Sequence, residues 1–160
     1  MPINPINESL WPEIFELQSR AYMDIEPESL EVLRDKWLHS PHCCFVFQNE
    51  DNKISAYLLA HVWGEETPPK LYQPLCEQNN CSSLFLHDLA VSASLNGSGL
   101  GKQMVQRLIS IAKQHHYQQI QLVAIQGSVP FWQKTGFIVD KSQLANECYG
   151  EGAKVMKQIV

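Results

Sequence analysis

Leu84-Phe85-Leu86-His87-Asp88-Leu89-Ala90-Val91, followed by Ser92-Ala93-Ser94-Leu95-Asn96-Gly97-Ser98-Gly99-Leu100-Gly101-Lys102, is the stretch on which the fold turns. Residues 84–91 form a compact apolar run, broken only by His87 and Asp88, and read as a strand. Residues 92–99 are a loop. From about 99 to 115, Leu100, Met104, Leu108 and Ala112, joined by Val105 and Ile109, recur at helical spacing. The glycines therefore stand where a strand hands over to a helix. Free N–H groups and the positive end of the helix dipole make such a junction an anion site, and glycine lets a phosphate approach the main chain. The same glycines also describe a flexible surface loop.

Two phosphate motifs are excluded by spacing. A Walker A loop needs Gly five residues before the Gly-Lys and Ser or Thr after it, whereas Asn96 and Gln103 stand there. A dinucleotide fingerprint needs G-x-G-x-x-G and a later acidic residue, but the spacing here is G-x-G-x-G and the next strand is Gln-rich and neutral.

Downstream, residues 119–125 read as another strand. Strand, helix, strand is a right-handed crossover that makes the two strands parallel neighbours or near neighbours. A short helix at 129–134 leads to Gly136, a C-terminal cap, and residues 137–139 start a strand whose partner is 154–159. Upstream, a short strand at 3–6 precedes a helix over 9–22 with Leu10, Ile14, Leu17 and Ala21 on its buried face. A second helix follows Pro27, placing Leu30, Leu33, Trp37 and Leu38 at helical spacing until Pro41 closes it. Residues 43–48 and 54–63 predict an antiparallel hairpin around Asn49-Glu50-Asp51-Asn52. Residues 64–83, with Pro68, Pro69 and Pro74, are too irregular for a long element and predict a functional loop.

A chain of 160 residues with 44% hydrophobic and 18% charged residues predicts one domain spanning 1–160 with a substantial core. The formal charge of −5 and the lack of a Lys/Arg cluster argue against nucleic acid or an anionic membrane as the main partner and fit a cationic small molecule better. Five cysteines (Cys43, Cys44, Cys76, Cys81, Cys148), without a CxxC pair, indicate neither a disulfide framework nor structural zinc. With no basic start and no apolar h-region in the first fifteen residues, a cytoplasmic protein is expected.

Three segments in one order, Leu86-His87-Asp88-Leu89-Ala90-Val91, the glycine loop, and Val129-Pro130-Phe131-Trp132-Gln133-Lys134-Thr135-Gly136-Phe137, resemble the core of the GNAT acetyltransferases. The closest likeness is to the arylalkylamine N-acetyltransferases. The resemblance implies an α/β (α+β) acyl-CoA N-acyltransferase fold: a mixed, mostly antiparallel sheet whose central parallel pair splays to admit acetyl-CoA, flanked by helices. It implies acetyl-CoA as cosubstrate and transfer to a primary amine, of arylalkylamine or polyamine type. Acetylation of a peptide or protein N-terminus, or catalytically weak acyl-CoA sensing, are the alternatives. A homodimer through an exposed C-terminal edge strand is also open.

By the same resemblance the backbone of Leu89, Ala90 and Val91 holds the pantetheine arm, and the amides of Gly97, Ser98, Gly99, Leu100, Gly101 and Lys102 hold the pyrophosphate. Asn96 stands where the family's loop starts with Gln or Arg. Ser128, Phe131, Trp132 and Lys134 line the cofactor, Lys134 either reaching the adenosine phosphates or remaining solvated. His87 is the candidate general base: imidazole titrates near neutrality, and regular alternation puts it on one face with Leu89 and Val91. A buried structural histidine is the plainer reading. Asp88 then faces the other way as a structural residue, unless a β-bulge exchanges the roles. Trp132 occupies the place of the tyrosine that protonates the leaving thiolate, and an indole N–H donates a hydrogen bond without giving up its proton. Tyr149 is either the substitute or a surface-loop tyrosine.

Overall fold

A computed structural model describes residues 3–22, 26–75, 81–125 and 127–160. The elements follow as β1 (Ile3–Pro5), α1 (Trp11–Ala21), α2 (Leu30–His39), β2 (Phe45–Gln48), β3 (Ile54–Val62), β4 (Ser83–Val91), α3 (Leu100–Gln114), β5 (Gln119–Ala124), α4 (Val129–Lys134), β6 (Ile138–Val139) and β7 (Lys154–Ile159). They build a seven-stranded sheet in the order β1-β2-β3-β4-β5-β7-β6. Every pairing is antiparallel except β4 with β5, the crossover pair joined through α3. Cys76 and part of the Pro-rich 64–83 segment lie outside the described residues.

Each face of the sheet has its own apolar cluster. On one side Leu100, Met104, Leu108 and Ala112 of α3 pack with Leu84, Leu86, Ile120, Leu122 and Trp132. On the other, Trp11, Ile14 and Leu17 of α1 and Leu33 of α2 pack against Tyr57, Leu59 and Ala90. Leu38, expected in the α2 stripe, is 51% exposed, because the residue after Trp37 turns a further 100° away from the sheet. No helix among the described residues is long and apolar enough to cross a membrane.

Two features of β4 set up the site. It pairs with β5 only at Ser83↔Gln119, Leu84↔Ile120 and Phe85↔Gln121, after which the parallel strands part, as the family resemblance implies. It also carries a bulge: Leu59 pairs with Asp88 and Ala60 with Leu86, leaving His87 as the extra residue. The bulge overturns the regular alternation. Leu84, Leu86, Leu89 and Val91 all meet the α3 cluster, whereas His87 reaches Glu28 and Asp88 reaches Tyr57 on the α1/α2 side. His87 and Asp88 therefore share a face, and His87 does not share one with Leu89 and Val91. The C-terminal strand also departs from expectation. β7 lies between β5 and β6, so the edges are β1 and the two-residue β6.

Candidate active site

Where β5 leaves β4, a backbone edge opens. Ser92 N–H donates to Ser55 O at 2.7 Å, which marks that couple as a hydrogen-bonded pair of the β3/β4 ladder. Antiparallel ladders alternate, so Ala90 bonds to Tyr57, while Leu89 and Val91 turn their N–H and C=O groups toward the side vacated by β5. Of the three residues expected to hold a pantetheine arm, Ala90 faces its neighbour, while Leu89 and Val91 face the gap, where Leu89 O already accepts from Tyr22 OH. The gap opens into a cavity of about 360 Å³ whose lining includes Leu89, Val91, Asn96, Ser128, Phe131 and Trp132. Trp132 is buried, edge-to-face with Phe131 (4.9 Å) and Phe137 (5.7 Å).

At the rim the glycine loop turns into α3. Gly99 precedes the helix at φ +85°, a conformation that L side chains rarely adopt. Gln103 N–H makes the first return bond, to Gly99 O at 3.1 Å, so the N–H groups of Gly101 and Lys102 lie ahead of the intrahelical ladder. Leu100 N–H instead donates to Ser98 Oγ at 3.3 Å, and the Leu100 side chain is buried in the core. Gly97, Ser98, Lys102 and Lys134 are exposed at this end and lie outside the cavity lining. Gly101 permits close packing, because a Cβ there would meet the Phe131 ring at 3.2 Å. Gly101→Ala should destabilise the protein by about 1–3 kcal/mol through overpacking. Urea unfolding measures this, and an unchanged midpoint would show that Phe131 yields freely.

The other end of the cavity is polar. His87 Nε2 contacts Glu28 Oε1, both side chains being almost wholly buried, and His87 Nδ1 has no partner among the described residues. Glu28 is gripped from several elements. The Gln18 amide bonds to its backbone N–H and C=O (3.3 and 3.2 Å), Tyr72 N–H donates to Oε2 at 2.9 Å, and Lys36 Nζ stands 3.9 Å away. Burial pushes the Glu28 carboxyl up, but the charges of His87 and Lys36 with the hydrogen bonds outweigh it and hold the group at about 2. Lys36 itself is fully buried, within 3.4 Å of Gln73 O, and burial pushes its ammonium down. Behind His87, the His61 ring lies 6.5 Å away, fully enclosed, and burial pushes its imidazole down to about 3.

A second cluster adjoins the splayed edge. Tyr57 OH donates to Asp88 Oδ2 at 2.5 Å, and Tyr22 OH donates to Leu89 O at 2.7 Å. Burial pushes Asp88 up. Neither Glu28 nor Tyr22 emerges from the sequence reading. Both lie in the connection between α1 and α2, where Glu26-Pro27-Glu28 carries only the signal of a helix start.

Residues 64–75 cross this end as a strap. Gln121 Nε2 donates to Glu66 O (2.8 Å), Tyr149 OH to Pro69 O, Tyr72 OH to Glu26 O (2.9 Å), and Leu75 N–H to Asp35 Oδ2 (2.7 Å). Tyr149 is thus no surface-loop residue. It is buried beneath the strap with its hydroxyl committed to a carbonyl, and burial pushes the phenol up.

The family model described as the acetyltransferase (GNAT) family matches residues 11–137. Among solved structures, the GphF GNAT-like decarboxylase in complex with isobutyryl-CoA superposes with a TM-score of 0.82 at 13% identity, covering 99% of each chain. The NatC complex bound to Gag peptide and CoA gives 0.76 at 19% identity, covering 100% of this chain and 99% of that one. The ribosomal-protein-S18-alanine N-acetyltransferase from Escherichia coli gives 0.71 at 14% identity, with 99% and 92% covered. No curated protein sequence matches the chain.

Proposed function

The chain belongs to the acetyltransferase (GNAT) family and is an acetyl-CoA-dependent acetyltransferase, and from that premise we propose that it acetylates the primary amine of a small molecule. The observation that carries this reading is the strap. A polypeptide lying across the acceptor end needs the walls on either side of the pocket apart. Here residues 64–75 tie Glu28 on one wall to Tyr149 on the other. A small amine needs only the mouth that remains.

The acetyl donor fits the residues present. The Val91 backbone and the Leu89 N–H offer an open strand edge to a pantetheine arm, and the first turn of α3 offers N–H groups to a pyrophosphate. The N–H of Leu89, turned into the gap next to the bulge, is placed to polarise the thioester carbonyl. The attacking nitrogen must lose a proton, and the His87–Glu28 pair at the cavity floor accepts it: Glu28 stabilises the imidazolium that results.

An arylalkylamine suits this end better than a polyamine. Tyr22, Tyr72 and Tyr149 surround it with aromatic rings, while Glu28 is already engaged by the His87 ring, Lys36 and the Tyr72 N–H. A second ammonium would find little uncompensated charge. The test is the ratio of kcat/KM values for phenethylamine-type substrates, spermidine and free-N-terminal peptides. The proposal expects the aryl amines to lead, with peptides lower by at least about two orders of magnitude. Peptides equal to or better than the small amines would defeat it.

A further inference from the structure

Lys36 carries an amine wholly out of water, and the chemistry described so far makes no use of it. Burying an ammonium is costly, and a methionine would fill much of the same space without that cost. The two oxygens of the neighbouring Glu28 carboxylate divide their partners. Oε1 meets His87 Nε2, while Oε2 accepts from Tyr72 N–H at 2.9 Å and has Lys36 Nζ at 3.9 Å. The strap closes the far side, where Gln73 O lies 3.4 Å from the same Nζ. Two consecutive strap residues therefore hold the two ends of one ion pair. Tyr72 does so at φ +66°, a left-handed conformation that a tyrosine keeps only where its surroundings impose it. Lys36 itself lies outside the cavity lining and touches no substrate.

We propose that Lys36 is a positioning residue for the acetyl transfer: acting through Glu28, it sets the charge on His87 so that the imidazole meets the amine as a neutral base. The inference rests on the acetyl-transfer reading. A base that already carries a proton cannot take one. Glu28 alone would favour the imidazolium before any amine has bound, whereas an ammonium beside its other oxygen offsets part of that charge. Glu28 then still stabilises the imidazolium that the amine proton creates. The other groups facing the pair do not take the place of Lys36. From β3, burial pushes His61 down to about 3, and from β4 it pushes the Asp88 carboxyl up. The Tyr22 and Tyr57 phenols are pushed up by burial as well. From α2, Asp35 accepts from Leu75 N–H and lies 3.6 Å from His39, and on the cavity wall Glu26 meets the strap through its carbonyl. Burial pushes the Lys36 ammonium down, and the charges of Glu28 and Asp35 act against that.

The test compares wild type with Lys36→Met and Lys36→Gln. Both remove the charge, both leave Glu28 the His87 ring and the Tyr72 N–H as partners, and the Gln amide can still donate to Gln73 O. Thermal unfolding and CoA binding serve as controls. Loss of the cation favours the imidazolium, so the neutral base is available only at higher pH. The measured quantity is the ratio of variant to wild-type kcat/KM, in which the ionisation of the amine substrate cancels. It should fall at least about threefold from its alkaline plateau toward about pH 6, the equivalent of half a pH unit. A lysine with a merely structural role lowers the ratio equally at every pH, and such a flat ratio would overturn the proposal. In parallel the His87 ring is titrated by NMR without substrates, its signal assigned by its loss in His87→Gln. Its midpoint should lie at least about half a pH unit higher in both variants than in wild type, and coincident titrations would overturn the proposal equally. Should the wild type acetylate no amine, the proposed function falls alone, and the imidazole titration still upholds or overturns the role of Lys36.

Discussion

His87→Gln lowers kcat/KM for acetyl transfer by about 10²–10⁴-fold, the span that general-base removal covers. Gln is the informative replacement because its amide can still donate to Glu28 and does not leave that buried carboxylate without a partner. The expected loss is therefore chemical, and acetyl-CoA affinity, set by the edge of Leu89 and Val91 and by the first turn of α3, stays where it was. CoA release followed chromatographically at saturating acetyl-CoA is the measurement, since thiols on the protein confound a colorimetric reagent. A variant within about threefold of wild type would remove His87 from the chemistry and return it to its plainer reading as a buried structural histidine.

The second large effect is on stability. His61 is wholly enclosed, its Nδ1 bonded to Val62 O at 2.8 Å and its Nε2 without a partner among the described residues. Burial pushes the folded imidazole down to about 3, whereas the unfolded chain binds a proton below about 6.5. From there down to about 3 the unfolded state alone gains the proton, so falling pH favours unfolding, and above about 7 the effect is absent. Between pH 7 and pH 5 this single group should cost about 2 kcal/mol. Glu28 acts in the same direction but lower: its stabilising ionised form is lost only as pH falls from the ordinary carboxylate range toward about 2. Urea unfolding at the two pH values compares wild type with His61→Phe, which keeps a ring beside Phe85 and Trp63 but cannot titrate. The variant should lose distinctly less stability on acidification, and parallel losses would show that His61 is not the source.

Most of the architecture is legible in the sequence because it rests on periodicity. The α3 stripe, the parallel β4/β5 pair and the glycine junction each follow from the spacing of apolar residues and from where Gly99 and Gly101 fall. What the sequence hides is a shift by one residue. The bulge at His87 changes no residue type, yet it moves Asp88 onto the acceptor face and Leu89 and Val91 onto the other. The remaining site groups are hidden for another reason. Glu28, Tyr22 and Lys36 act through contacts with residues 37 to 67 positions away, such as Tyr72, Leu89 and Gln73. No local pattern encodes such meetings. The same holds for Tyr149, whose burial depends on a strap segment 80 residues earlier in the chain.

The most direct test of the account is to incubate the protein with acetyl-CoA carrying a ¹³C-labelled carbonyl and a phenethylamine-type substrate, and to follow the label by NMR. The expected result is loss of the thioester carbonyl signal and growth of an amide carbonyl signal on the amine, with one free CoA released per amide formed. A thioester signal that stays intact beside the amine, in a sample where acetyl-CoA binding is itself undetectable, would contradict the reading of the splayed strands as a site for acetyl transfer.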